Sequence, residues 1–292
     1  MSSIVIGASG LVGYEFYRQC GEKDEWHFTY RSRKLHDFLS LDATDADAVS
    51  EIVGELEPTL IILPAAYANV NGCETDRTLA HKNNVGIVKN VLDAAGDNAK
   101  LVFFSSDYLF DGKNGPYDEE AKPNPLNYYG KLKLECEQAI ASSGKQHLII
   151  RTTGIFGWEA QRKNFLYRVM DTLGAGKPLE LPNDQAANAT YVRDLVSATL
   201  ELLDMKKTGV YNVAGPEIFS KWALAREYAG FLKLDQSLIV GKPTSEFPSI
   251  APRPLKGGLK IGKIEKLGIK MRKVKDALAD MLKRKRLDDS YQ

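Results

Sequence analysis

Tyr129 and Lys133 stand four residues apart, and the polar run Ser105-Ser106-Asp107-Tyr108 precedes them by about twenty residues. On an α-helix, residues i and i+4 share a face. The lysine ammonium can therefore lie beside the phenol and pull its pKa below the ordinary value of about 10. A phenol tuned in this way, with a hydroxyl nearby to hold a carbonyl oxygen, can give a proton to a ketone while another group supplies hydride. The spacing alone is weak. A chain with 13 tyrosines and 26 lysines has about one such pair from composition, and this one has two, the other being Tyr30 with Lys34. Position in the fold has to separate them.

The elements that position these residues alternate between strand and helix. Apolar runs at Ile4–Ile6, Trp26–Tyr30, Thr59–Pro64, Lys100–Phe104 and Gln146–Ile150 are short and bounded by turn residues. Helical stretches lie between them at Ala46–Glu57, Thr75–Ala95 and Asn127–Ser142. Short apolar strands alternating with helices predict a parallel sheet covered on both faces. After about residue 155 glycine and proline punctuation becomes irregular, which predicts a smaller second lobe.

The expected fold class is α/β, a Rossmann-type doubly wound parallel sheet with a smaller C-terminal substrate lobe. The expected core covers residues 1–155, with a later contribution from about 186–214. The lobe takes residues 156–185 and 215–292.

Composition excludes several function classes. The 292 residues carry a formal net charge of +1, and no apolar run approaches a membrane span. Neither a nucleic-acid partner nor a membrane is expected. Three cysteines and four histidines are scattered without metal-ligand spacing, so no metal is expected and the cysteines read as reduced thiols. No signal-peptide pattern opens the sequence, and a cytoplasmic protein is the default expectation.

The first strand runs into Gly7, Gly10 and Gly13, spaced three apart, and then into a helix. Such a turn lets backbone approach a pyrophosphate, while the helix end offers free N–H groups and positive dipole. The bland alternative is a glycine-rich turn without a ligand. The second strand ends in Tyr30-Arg31-Ser32-Arg33, with no carboxylate where an NAD site places one. Arg31 and Arg33 suit an adenosine 2′-phosphate, so NADP(H) is preferred over NAD(H), against the alternative that the arginines are only solvated. Tyr30 and Lys34 would lie at the adenosine end, far from the hydride. Tyr129 and Lys133 follow a later strand, whose carboxyl end is where ligands collect in open α/β sheets.

The run Phe104-Ser105-Ser106-Asp107-Tyr108-Leu109-Phe110-Asp111-Gly112 resembles a signature of the dTDP-4-dehydrorhamnose reductase family of extended short-chain dehydrogenases. The segment from Pro125 to Glu135, with Asn127, Tyr129, Gly130 and Lys133, is similar as well. The likeness continues in order through Asn84 and Asn90, Arg151-Thr152, Phe156-Gly157, Asn164-Phe165, Asp184-Gln185, Tyr211–Gly215 and Arg253-Pro254.

The resemblance implies NADPH-dependent reduction of the C4 ketone of a nucleotide-linked 6-deoxy sugar. Ser106 would hold the carbonyl, Tyr129 would act as general acid, and Lys133 would hold the nicotinamide ribose. It also implies cofactor contacts at Ser9, Leu11, Asp42, Ala65, Ala66, Tyr67 and Asn84, and substrate contacts at Asp107, Tyr108, Phe110, Asn164 and Arg253. Related dehydratases carry a glutamate where this chain has Tyr108, which argues for plain reduction. A homodimer is compatible with the chain.

One departure bears on the substrate. Where family members often place a tryptophan against the sugar, this chain has Gly154, and Trp158 is the nearby candidate to replace it. Two other readings stay open. Relatives include an NADP-binding regulatory subunit of methionine adenosyltransferase, and nucleotide-sugar epimerases share the motifs. The stretch Ile261–Gln292, with ten basic and five acidic residues, reads as a solvated helix end rather than a nucleic-acid contact.

Overall fold

The first five sheet strands are β1 (Ser3–Val5), β2 (Trp26–Tyr30), β3 (Leu39–Ser40), β4 (Leu60–Leu63) and β5 (Lys100–Ser106). They are followed by β6 (His147–Thr152) and a seventh strand, Gly209–Asn212. All pair in parallel, in the order Gly209–Asn212, β6, β5, β4, β1, β2, β3. The order reverses between β1 and β4, and crevices at such a reversal receive ligands in open α/β sheets. This computed structural model describes residues 2–159, 161–248 and 250–288, the last four by backbone alone.

Side chains alternate along each strand, so each strand feeds two cores. Ile4, Ile61, Leu101, Phe103 and Ile149 pack on one face against the helices Ala46–Leu56, Ile87–Ala94 and Tyr128–Ser142. Val5, Ile62, Val102, Phe104, Leu148 and Ile150 pack on the other against Leu11–Cys20 and Val192–Asp204. A third core of Phe156, Leu166, Leu224, Tyr228, Leu278 and Met281 organises the C-terminal lobe. Leu259, Ile261, Ile264 and Ile269, in a stretch expected in that lobe, pack into the sheet's own core instead.

The stretch expected as one helix over Thr75–Ala95 is broken into pieces. Asp76 stops the first piece, Val70–Thr75, with non-helical backbone, and its carboxylate caps the next by accepting from Leu79 N at 2.9 Å. Lys82–Gly86 is then wound as a π-helix before Ile87–Ala94 resumes. π-Segments recur at functional sites, and this one buries Asn83 and Asn84 beside the sheet's switch point.

The helix carrying Tyr129 and Lys133 is fixed at both ends. At its start, Asn127 Oδ1 accepts from Gly130 N at 2.9 Å and Glu74 Oε1 accepts from Tyr128 N at 2.6 Å. Farther along, Arg151 Nε and Nη2 on β6 donate to the two Glu137 carboxylate oxygens at 3.0 and 2.7 Å. Each side chain of this pair is 7% exposed. Removing one partner of a buried pair strands the other charge and costs about 3–5 kcal/mol. Glu137→Ala is accordingly expected to lower unfolding stability in urea by about that amount. A loss under about 1 kcal/mol would show that the pair does not anchor the helix.

Candidate active site

The glycine turn is built as close approach demands. Gly7 has φ of +97°, and a Cβ there would come within 2.8 Å of the Ala65 Cβ. A Cβ on Gly13 would run into the Gly7 carbonyl and the Ala8 Cα, so the helix can seat on β1 only with glycine there. A Cβ on Gly10 would meet only the Gly7 carbonyl at an ordinary 3.6 Å, and Gly10 caps the helix Leu11–Cys20 without a side-chain bond, leaving its first N–H groups facing the crevice.

Three cavities run across the carboxyl ends of the strands. The first, about 300 Å³, is lined by Gly7, Ser9, Gly10, Arg31, Ala65, Ala66, Tyr67 and Asn83 among others. The second, about 630 Å³, is lined by Gly7, Leu11, Gly13, Ser105, Tyr129, Lys133 and Thr152 among others. The third, about 250 Å³, holds Asp107, Tyr108, Gly154, Gln185, Asn188, Lys221 and Tyr228 among others. Ile155 lines both the second and the third. Tyr30 and Lys34 belong to neither, at the end of β2, which is separated from β5 by β1 and β4.

Lys133 is buried, and its Nζ donates to the Phe104 carbonyl at 2.8 Å, 4.6 Å from the centre of the Phe103 ring and 5.9 Å from that of Tyr129. Burial pushes its ammonium below the usual lysine range. The Tyr129 phenol bonds the Ser106 side chain and meets Tyr108 edge-on at 5.7 Å. The expected lowering of the Tyr129 pKa by Lys133 is not found. Burial pushes the phenol well above its ordinary value, the Ser106 bond pulls it back, and Tyr108 and Asp107 push it further. The lysine is turned to a carbonyl of β5 and not to the phenol. At neutral pH Tyr129 therefore holds its proton.

Ser106 Oγ also accepts from Tyr108 N at 3.2 Å, capping the turn Asp107–Leu109 that follows β5. Asp107 is buried and accepts from Gly258 N at 3.2 Å, and burial raises its carboxyl. Burial likewise raises Tyr108 to about 12, against the pull of Arg253. Arg253 Nη2 donates to Asn71 Oδ1 at 2.8 Å, while its Nη1 is buried without a partner.

Several expected contacts fall elsewhere. Phe110 is fully buried, stacked on Tyr117 at 4.3 Å beneath the Arg151 guanidinium, and packs the core instead of facing substrate. Asn164 caps the helix Phe165–Gly174 by accepting from Leu166 N, and its amide donates to Gly157 O and Glu159. Asn84 lies behind the first cavity, donating to the Ala80 and Tyr67 carbonyls at 2.9 and 3.3 Å, so it braces the Ala65–Tyr67 loop. Asp42 turns to the Thr44 amide and hydroxyl. Arg33 is exposed and outside the cavity lining, whereas Arg31 is in it. Trp158 does not replace the missing aromatic wall: its Nε1 donates to the Met281 carbonyl at 2.9 Å and its ring meets Tyr167.

Other residues were missed. Asn83 Oδ1, in the π-wound segment, accepts from Arg31 Nη1 at 2.6 Å. Ser105 and Thr152 line the second cavity with buried hydroxyls lacking a partner. Lys221, an exposed residue, also lines the third, where desolvation and the neighbouring charges of Arg253 and Arg168 lower it to about 8. A lysine at the first position of a helix, where the dipole disfavours cations, was the available signal. Among the described residues, no group of three or more His, Cys, Asp or Glu could hold a metal. No helix among them is long and apolar enough to cross a membrane. Arg284, in the basic C-terminal run, is paired with Asp280, and the side chains of Lys285 and Arg286 lie outside the described residues.

The arrangement fits a dinucleotide lying along the first two cavities. The glycines form a cradle that a Cβ would fill, and two orphaned hydroxyls face the half beside Tyr129 and Lys133.

Comparison with known proteins agrees with this geometry. Methionine adenosyltransferase 2 subunit beta of Xenopus tropicalis is 31% identical over 283 residues, covering 92% of this chain and 83% of that protein. A hypothetical dTDP-4-dehydrorhamnose reductase from Sulfolobus tokodaii superposes with a TM-score of 0.82 at 34% identity, covering 91% of this chain and 94% of the other. A dTDP-4-dehydrorhamnose reductase from Bacillus anthracis, solved in complex with NADP, gives a TM-score of 0.87 at 27% identity, covering 97% and 100%. The family described as RmlD substrate binding domain matches residues 1–287, and the chain belongs to that family.

Proposed function

We propose that this chain is a reductase that uses NADPH to reduce the C4 ketone of a nucleotide-linked 4-keto-6-deoxy sugar. The observation that carries this reading is the meeting of Ser106, Tyr129 and Lys133 where the glycine-lined cavity adjoins the pocket of Asp107 and Tyr108. Bound in the first two cavities, the reduced nicotinamide would supply the hydride. The chain's own residues do the rest. Ser106 holds the carbonyl oxygen, and Tyr129, kept protonated by burial, gives its proton to the developing alkoxide. Lys133 spends one of its three donors on Phe104 O and keeps two for the nicotinamide ribose. Arg253 Nη1 and Lys221 offer positive charge for the diphosphate of the sugar nucleotide. The dehydrorhamnose reductases of similar fold, one solved with NADP, support this reading.

NADPH is preferred over NADH because Arg31, steered by Asn83, lines the adenosine end and no carboxylate does. Gly154 bears on which sugar is taken. Its φ is +56°, and a Cβ there would run into the Asn188 carbonyl, so the backbone itself excludes an aromatic wall at this point.

A second reading is favoured by the similarity to methionine adenosyltransferase 2 subunit beta: a chain that binds dinucleotide and regulates a partner enzyme. Following reduced-nicotinamide absorbance with NADPH and a series of dTDP-4-keto-6-deoxyhexoses separates the two. Oxidation with at least one sugar is expected. Tight NADPH binding without oxidation of any would leave the regulatory reading, and tightly retained oxidised cofactor with no net redox change would point to an epimerase.

Two variants probe the mechanism. Tyr129→Phe is expected to keep NADPH affinity and lose at least about 10² in turnover; near-normal turnover would remove Tyr129 from proton transfer. With Lys221 drawn down to about 8 by desolvation and by Arg253 and Arg168, the pocket is expected to lose positive charge as pH rises through that value. The KM for the anionic sugar nucleotide is expected to rise there in the native enzyme and to be insensitive to that pH step in Lys221→Met. A parallel rise in both would assign the effect to another group.

A further inference from the structure

We propose that Lys163 is the counter-ion of the dinucleotide's diphosphate, brought over the glycine turn by a segment of the C-terminal lobe. The proposal rests on the dinucleotide reading of the first two cavities. Those cavities share Gly7, Gly10, Pro64, Ala66 and Lys163 in their linings, and of these only Lys163 carries a charge. A dinucleotide consists of two nucleoside halves joined by a diphosphate. A molecule occupying both cavities must therefore place its anionic bridge at their junction.

The two walls of the junction are complementary. On one side the helix Leu11–Cys20 begins without a side-chain cap, so its first N–H groups are uncommitted. On the other stands Lys163, an exposed lysine that lines both cavities. Backbone donors alone supply partial charge; the lysine adds a full one.

The segment that carries Lys163 is held at three points. At its start, Trp158 Nε1 donates to the Met281 carbonyl at 2.9 Å, tying it to the C-terminal helix. At its tip, Gln161 Nε2 donates to the Ser9 carbonyl at 3.0 Å, tying it to the glycine turn. Between them the Glu159 carboxylate accepts from Lys163 N and Asn164 N, both at 3.0 Å, and from Asn164 Nδ2 at 3.2 Å. Glu159 is the one acidic residue lining these two cavities among the described residues, and those three donors engage its charge. Arg162 cannot serve in place of Lys163: with φ of +50° it pairs with Asp171 and covers the Tyr167 ring at 4.3 Å.

The location also separates Lys163 from Arg31. A contact to the diphosphate is common to NADPH and NADH, whereas a contact to the 2′-phosphate belongs to NADPH alone. The test is a fluorescence titration of the wild-type chain, Lys163→Ala and Lys163→Arg with NADPH and with NADH, at low and high salt. Lys163→Ala is expected to weaken both dinucleotides by the same factor, about tenfold or more, with a shallower salt dependence. Lys163→Arg should bind both nearly as well as the wild type. Should Lys163→Ala unfold at a lower temperature than the wild type, Lys163→Gln is titrated in its place. Unchanged binding of both dinucleotides would overturn the proposal, and so would a loss confined to NADPH. A wild-type chain that binds neither would take down the dinucleotide reading itself, and this proposal with it.

Discussion

A lysine ammonium that is 4% exposed has to be held by something, and in this fold the Phe104 carbonyl holds it. Burying an unpaired charge costs several kcal/mol, so the bond between Lys133 and the end of β5 leaves the helix Tyr128–Ser142 little freedom to slide or rotate. Phe104 is followed directly by Ser105 and Ser106, which means that the bond fixing the lysine also fixes the register between the serines and Tyr129. The Glu137–Arg151 pair fixes the same helix against β6, and Asn127 and Glu74 fix its first turn. Two neighbouring strands and the helix between them are thereby locked around one point at the carboxyl edge of the sheet.

Against this background of satisfied groups, the unsatisfied ones are informative. Buried polar atoms in native proteins are nearly always paired. Here the hydroxyls of Ser105 and Thr152 line the cavity beside Tyr129 without partners, and Arg253 Nη1 is buried in the same condition. Each carries a desolvation cost that a ligand would relieve. Unpaired buried atoms occur elsewhere too, at Ser2 and Asn212, but Ser105 and Thr152 stand out because they share one cavity wall with Tyr129 and Lys133. The raised pKa of Tyr129 has a related origin, since its low-dielectric surroundings favour the neutral phenol.

Much of this was legible in the sequence because the signals were local. Strands such as Leu60–Leu63 are unbroken apolar runs, and the glycine spacing of three is a direct image of the close approach at Gly7 and Gly13. What could not be read depends on where side chains turn after folding. The i, i+4 spacing places Lys133 near Tyr129 but says nothing of the Phe104 carbonyl that takes the ammonium. Phe110 sits in the signature run, yet the stacking of Tyr117 and Arg151 draws it into the core. Asn83 and Asn84 are neighbours, and only the π-wound backbone decides that the first reaches the cavity and the second the loop behind it. Lys163 gained its place through tertiary contacts from Trp158 and Gln161 that no spacing encodes.

The central claim is that hydride and proton are delivered to one ketone at the junction of the second and third cavities. Reduction of a dTDP-4-keto-6-deoxyhexose with NADPH deuterated at the nicotinamide C4, followed by mass spectrometry and NMR of the product, tests it most directly. One deuterium on the sugar's C4, transferred from one face of the nicotinamide only, is the predicted result. A product without deuterium at C4, or no product from any such sugar while NADPH binds tightly, would contradict it.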